Sequence, residues 1–142
     1  MADKVSVEDI GELIQTIGRA QARLVAMADA LHGHRGLAPS LRGVLLCIEA
    51  NGPQNISRLA ELCAVSRQFL QRSVQALIAG DWAETQPNPR HKGSPLIALA
   101  PRGIDEVARI HDLEAPYFRN LAARVSRDEL TCTLRVLACV TV

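Results

Sequence analysis

SRQFLQRSVQALIAG, residues Ser66 to Gly80, decides how the rest of the chain is read. Placing successive residues 100° apart gathers Arg67, Gln68, Gln71, Arg72 and Gln75 in one arc and puts Leu70, Val74 and Leu77 on the other side. One face can pack while the other reaches outward. Arg and Gln carry the paired hydrogen-bonding groups that match guanine and adenine edges in the major groove, whereas a carboxylate would be repelled by phosphate. No acid occurs between Leu62 and Gly80. The pattern also suits an ordinary amphipathic surface helix, so the flanking chain has to separate the two.

Upstream, Asn55 is placed to cap a short helix, Ile56 to Leu62, with Ile56, Leu59, Ala60 and Cys63 on one apolar face. Ser66 follows within a few residues and caps the next helix, with Gly80 expected as its left-handed end. Two short helices joined by a tight turn, the second with an acid-free Arg/Gln face, make a helix-turn-helix pattern in which Ser66, Arg67, Gln68, Gln71, Arg72 and Gln75 face DNA. Downstream, Trp82 to Gln86 and Leu96 to Ala100 read as strands around a turn-rich loop, Pro87 to Pro95, that carries Arg90, His91 and Lys92. Such a basic hairpin after a recognition helix is a wing, and Arg90 and Lys92 are its candidate DNA contacts.

Further out, Ser6 to Asp9 has the form of a capping box opening a helix from Val7 to about Leu31, before Gly33 and Gly36. A helix of about 25 residues spans nearly 40 Å, longer than a small core requires, so part of its apolar stripe is expected to meet a second subunit. Pro39 and Ser40 are expected to cap a helix from Leu41 to Ala50, closed by Asn51, Gly52 and Pro53. Pro101 suits the first turn of a helix with Ile104, Val107, Ile110 and Leu113 as its stripe, and Pro116 should kink or break it. Ser126 to Glu129 is a second capping box, opening a last helix with Leu130, Leu134 and Leu137. The fold class expected is therefore mainly α with a small β-hairpin. Residues 38–100 would form a winged helix-turn-helix lobe, and residues 6–32 and 101–142 a helical dimerisation region, all within one domain of 142 residues.

Bulk properties narrow the function. A net charge of +1 means that nucleic-acid binding must come from local clusters: Arg90, Lys92 and Arg102 lie in an acid-free stretch, while Asp3, Glu8, Asp9 and Glu12 gather at the start. One Trp, one Tyr and two Phe argue against base-stacking platforms and for duplex DNA. There is no signal-peptide core and no run of eighteen apolar residues, so a cytoplasmic protein without membrane attachment is expected. Cys47, Cys63, Cys132 and Cys139 lack C-x-x-C spacing and are expected to be buried free thiols. Cys132 and Cys139, two helical turns apart, share a face and form the candidate pair of a redox-sensing alternative. His32 and His34 without a third ligand make no metal site, and no cofactor is implied. Without a G-x-S-x-G, H-E-x-x-H, phosphate loop or paired acids, no enzyme is expected.

Taken together, Gly52-Pro53, Ile56 to Leu62, Val65 to Gln68, Asn88-Pro89-Arg90, Leu99 and Pro101-Arg102-Gly103 resemble the MarR family of bacterial winged-helix regulators. The resemblance implies a homodimer with interlocking first and last helices, reading a pseudo-palindromic operator on double-stranded DNA. It implies repression relieved by a small aromatic or anionic effector, an oxidant or occasionally a metal. It also puts Ser66, Arg67, Gln68, Gln71 and Arg72 on the recognition helix and Arg90 on the wing. Two departures stand out. His91-Lys92-Gly93 replaces the family's Asp-Arg-Arg and removes a carboxylate that braces wing arginines. Ala64 replaces a common Gly in the turn, at about 1 kcal/mol if that residue is left-handed. The altered wing and modest charge also motivate an alternative, a winged-helix dimer that serves as a protein-interaction module without binding DNA.

Overall fold

A computed structural model describes residues 4–33 and 37–141; Gly36 and His34 lie outside the described residues. The elements are α1 (Val7–His32), α2 (Pro39–Asn51), α3 (Ile56–Cys63), α4 (Arg67–Ala79), β1 (Ala83–Gln86), β2 (Leu96–Leu99), α5 (Pro101–Ala122) and α6 (Arg127–Val140). This is the mainly helical architecture with one small hairpin that the sequence predicts.

Local chemistry explains most of the boundaries. Ser6 and Ser126 each accept a hydrogen bond from the backbone N–H three residues on, and the carboxylates of Asp9 and Glu129 accept one from the cap's own N–H. Those bonds hold both carboxyls below their usual range, the backbone bond from the serine being the larger cause. Asn55 and Ser66 cap α3 and α4 in the same way, accepting from Arg58 and Phe69. At α2 the expected Ser40 cap does not form. Ala38 holds the cap position without a side-chain bond, and Pro39 sits in the first turn, where its missing N–H costs nothing.

Two other expectations are corrected. Gly80 is not left-handed (φ −90°); the positive φ falls one residue later, on Asp81 (φ 61°). Gly80 is needed for a different reason, since a Cβ there would collide with the Trp82 ring. Pro116 does not break α5, which runs unbroken from Pro101 to Ala122. Proline at this position removes the bond to the Asp112 carbonyl, and both residues lie on the exposed side of the helix, where water can satisfy that oxygen.

The core lies between α2, α3, α4 and the hairpin. Leu45, Leu59, Leu70 and Leu77 are all 0% exposed there, joined by Ile48, Val74 and Ile97. The hairpin pairs antiparallel, Ala83 with Leu99 through Gln86 with Leu96. Gln54 extends it by exchanging backbone bonds with Ile97 (3.3 and 2.8 Å), which fastens the hairpin to the start of α3. At the other end Arg102 lies over Trp82, 4.3 Å from the ring centroid, and donates to the Gly80 carbonyl at 2.6 Å. Gly103 lets α5 approach the Trp82 backbone where any Cβ would clash. Arg102, counted among the basic residues of this stretch, thus serves the corner between α4 and β1.

The cysteines depart most from expectation. Cys47 and Cys63 form a disulfide between α2 and α3, and Cys132 and Cys139 are free but exposed on α6. Helical periodicity locates a residue on its own helix but not against its neighbour, so the cross-helix pair left no local mark.

Ala64 is left-handed, at φ 54° and ψ 43°, between α3 and α4. Ala64→Gly is therefore expected to stabilise the protein by about 1 kcal/mol, read as a higher urea midpoint at unchanged m-value.

Candidate nucleic-acid interface

α4 is anchored by one face and free on the other. Leu70, Val74 and Leu77 are buried, and Ser73 turns its hydroxyl back onto the Phe69 carbonyl at 2.9 Å. Ser66, Arg67, Gln68, Gln71, Arg72 and Gln75 are all exposed. Gln68, Gln71, Arg72 and Gln75 line one shallow groove of about 360 Å³. Among the described residues no hydrogen bond or ion pair engages the side chains of Arg67, Gln68, Gln71, Arg72 or Gln75, so their donors and acceptors remain open to a partner. Ser66 differs, because its hydroxyl oxygen accepts from the Phe69 N–H at 3.1 Å and serves the helix cap.

The wing loop is ordered by an asparagine. Asn88 donates from its side-chain amide to the Ser94 carbonyl (2.9 Å) and accepts from the Arg90 N–H through Oδ1 (3.1 Å). Backbone bonds from His91 to Asn88 and from Ser94 to His91 close the turn. Asn88 thus orders the backbone of the loop from inside the Asn88-Pro89-Arg90 string, and the side chains of Arg90 and Lys92 are exposed at the tip. A cleft of about 460 Å³ separates the wing from the start of α3, with Asn55, Arg58, Arg90 and His91 among its walls. Arg58 was not singled out from sequence. It pairs with Glu61 at 2.9 Å on the exposed face of α3, and its position beside the wing follows only from the folded topology.

A second constellation, also missed, joins α1, α2 and α5. His32 is 2% exposed and its Nε2 lies 2.8 Å from Glu114 Oε1, a contact across 82 residues. Arg42 on α2 is buried and reaches Asp29 at 3.2 Å. Arg109 holds Glu106 with two bonds, 2.6 and 3.0 Å. That hydrogen bonding lowers the Glu106 pKa against the opposing effect of burial, and it raises the Arg109 pKa. Among the described residues, His32 Nδ1 and Arg109 Nη1 are buried without a hydrogen-bond partner. His34, the other half of the weak histidine motif, lies outside the described residues. Among the described residues no three His, Cys, Asp or Glu side chains cluster at metal-binding distance, and no helix is long and apolar enough to cross a membrane.

No protein-family model matches the sequence, and no curated protein sequence matches it at a significant level. Solved structures do match. A MarR-family transcription regulator superposes with a TM-score of 0.76 at 20% identity, over 94% of this chain and 89% of that one. The transcriptional repressor CouR, solved on a 23-mer DNA duplex, gives 0.74 at 22% identity, over 99% and 100%. The fold is that of the MarR-family regulators. BpsR of Bordetella bronchiseptica, described for regulation of its DNA binding by 6-hydroxynicotinic acid, shares the MarR fold as well, with a TM-score of 0.72 at 16% identity over 99% and 98%. These neighbours are transcription regulators rather than enzymes, and within the MarR fold α3 and α4 are the helix-turn-helix and β1–β2 the wing.

The Glu106 carboxyl gives the junction an acid dependence. Its folded-state pKa lies below the ordinary 4.5, so the pair with Arg109 stabilises the fold fully above that value and loses its contribution as pH falls through the lowered one. Between about pH 5 and pH 3 the melting temperature of Glu106→Gln should fall less steeply than that of the wild type; parallel curves would show that the pair adds nothing.

Proposed function

We propose that this chain is a sequence-specific double-stranded DNA-binding transcriptional regulator, acting as a homodimer on a pseudo-palindromic operator. The observation that carries the proposal is the outer face of α4: five Arg and Gln side chains, none engaged by another described residue and none accompanied by an acid, on a helix held by its opposite face. Arg67, Gln68, Gln71, Arg72 and Gln75 would meet base edges, with Ser66 setting the start of the helix beside the phosphates. Arg90 and Lys92 would meet the backbone or minor groove.

Dimerisation is supported by what the fold leaves uncovered. α6 has no buried residue although Leu130, Leu134 and Val140 recur along it, and α1 exposes Ile10, Ile14, Leu24 and Val25. An open apolar cleft of about 470 Å³ lies between the end of α5 and the start of α6, walled by Phe118, Leu121, Val125 and Leu130. A second copy would cover these faces and set two recognition helices one helical turn apart. Residues 6–32 and 101–142 would then be the dimerisation region around the lobe of residues 38–100.

Repression relieved by a small aromatic or anionic effector is the finer part of the proposal, supported by likeness to BpsR. The His32–Glu114 and Arg109–Glu106 junction lies where movement of the dimer helices would pass into α2 and the lobe. A DNA-bound regulator works in the cytoplasm and needs no cofactor. The protein-interaction alternative predicts a dimer that ignores duplex DNA.

Arg67→Ala or Arg72→Ala should weaken operator binding by about 1–3 kcal/mol and relax specificity. Arg90→Ala or Lys92→Ala should weaken all duplexes alike and reduce the slope of log K against log salt by about 0.9 per lost phosphate contact. Unchanged binding in a low-salt mobility shift for all four would refute the assignment.

A further inference from the structure

Cys47 and Cys63 are bonded across the contact of α2 with α3, with their Cα atoms 6.1 Å apart and a sequence separation of 16. Both residues are only partly buried, at the edge of the core. Cys47 sits in α2 one turn before Asn51, whose side-chain Nδ2 lies 3.6 Å from Cys47 Sγ and 2.8 Å from the Cys47 carbonyl. Cys63 closes α3, immediately before left-handed Ala64 and the cap of α4. The pair therefore ties the first helix of the helix-turn-helix to the helix behind it, at the joint that sets the recognition helix.

We propose that Cys47 and Cys63 form a reversible oxidation site, closed by hydroperoxides and opened by dithiols, whose closure locks α3 on α2 and tightens DNA binding. This rests on the DNA-binding reading above, which puts the chain in a reducing compartment where a partly buried disulfide between two helices can be opened again. In closure the Cys47 thiolate attacks the hydroperoxide O–O bond, becoming a sulfenic acid and releasing the alcohol (water, for hydrogen peroxide) after protonation. The Cys63 thiol then displaces water from that sulfur. Two electrons pass from the two sulfurs to the peroxide, whose oxygens leave as alcohol and water. In opening, a dithiol takes the bond through a mixed disulfide and leaves as its own disulfide.

Cys132 and Cys139, the pair suggested by sequence, cannot do this within one chain. Seven residues of helix separate them by about 10 Å along α6, and both are free. Reduction changes the α2–α3 contact because two non-bonded sulfurs need more room than one S–S bond. α3 packs directly on α4 through the core, so that change reaches the recognition helix.

The experiment uses the full chain with hydrogen peroxide as oxidant and dithiothreitol as reductant. Equimolar peroxide should lower the thiol count from four to two per chain, and mass spectrometry of the digest should find the Cys47–Cys63 peptide pair. The melting temperature should rise by about 10 °C, and duplex affinity measured by fluorescence anisotropy should rise about tenfold. Dithiothreitol should reverse all of this. Cys63→Ala, checked for folding by circular dichroism, should lose the disulfide, the melting shift and the affinity change, its Cys47 stopping at the sulfenic acid; Cys47→Ser, the second variant should the first not fold, should lose the same three responses. The double variant Cys132→Ser, Cys139→Ser should keep every response.

An intersubunit bond through Cys132 or Cys139, a Cys47–Cys63 bond that dithiothreitol does not open, or equal duplex affinity in the two states would overturn the proposal. A reversible Cys47–Cys63 bond with the expected melting shift, but no duplex binding in either state, would uphold the oxidation site and overturn the DNA-binding reading instead.

Discussion

α4 can present a polar face because its apolar face is fixed. Leu70 and Leu77 are enclosed by leucines of α2 and α3, and a fully buried leucine contributes about 2 kcal/mol relative to an exposed one. Four such residues at one contact hold the helix in a single rotation about its axis. Were that rotation free, Arg67, Gln68, Gln71, Arg72 and Gln75 would point in no fixed direction, and paired hydrogen bonds to bases need a direction. The other features of the lobe serve the same constraint. Ala64 accepts a left-handed backbone to bring α4 round, Gln54 pins the hairpin behind α3, and Arg102 stacks on Trp82 to close the far corner. The recognition surface is a consequence of packing on the side away from it.

The polar junction of α1, α2 and α5 obeys a different logic. Its bonds are few and charged, and two nitrogens in it have no partner among the described residues. A leucine contact resists change in proportion to the area it covers, whereas a buried polar cluster with unsatisfied atoms can have alternative arrangements of similar energy. The lobe thus holds together through apolar side chains, whereas its contact with the long helices is polar.

Elements that depend on neighbours along the chain were legible in the sequence. Ser6, Asn55, Ser66 and Ser126 cap the helices they were expected to cap, because a cap is a contact over three residues. The two strands of the hairpin and the polar arc of α4 follow from local sequence pattern in the same way. Ser40 misled because a proline beside it supplied an equally good helix start, and Gly80 because a glycine can be required by a neighbouring ring as readily as by a positive φ. Pro116 looked like a breaker, but its cost falls on a face open to water. Contacts between distant segments left no local trace. The bonds of Cys47 to Cys63 and of His32 to Glu114, the latter spanning 82 residues, exist only because α2 meets α3 and α1 meets α5. Asn88 lies between these cases. It stood in plain view within a recognised string, yet its clamp on Ser94 depends on the loop's folded path.

The central claim is that the outer face of α4 enters the major groove, once per subunit of a dimer. Dimethyl sulfate protection on the bound operator tests it most directly, because methylation of guanine N7 reports the major-groove edge that Arg67 and Arg72 would occupy. The account predicts two protected clusters of guanines centred about 10 base pairs apart on one face of the duplex, with the protection in each cluster lost in Arg67→Ala or Arg72→Ala. Protection confined to the minor groove, or a bound complex in which guanine N7 reacts as in free DNA, would contradict it.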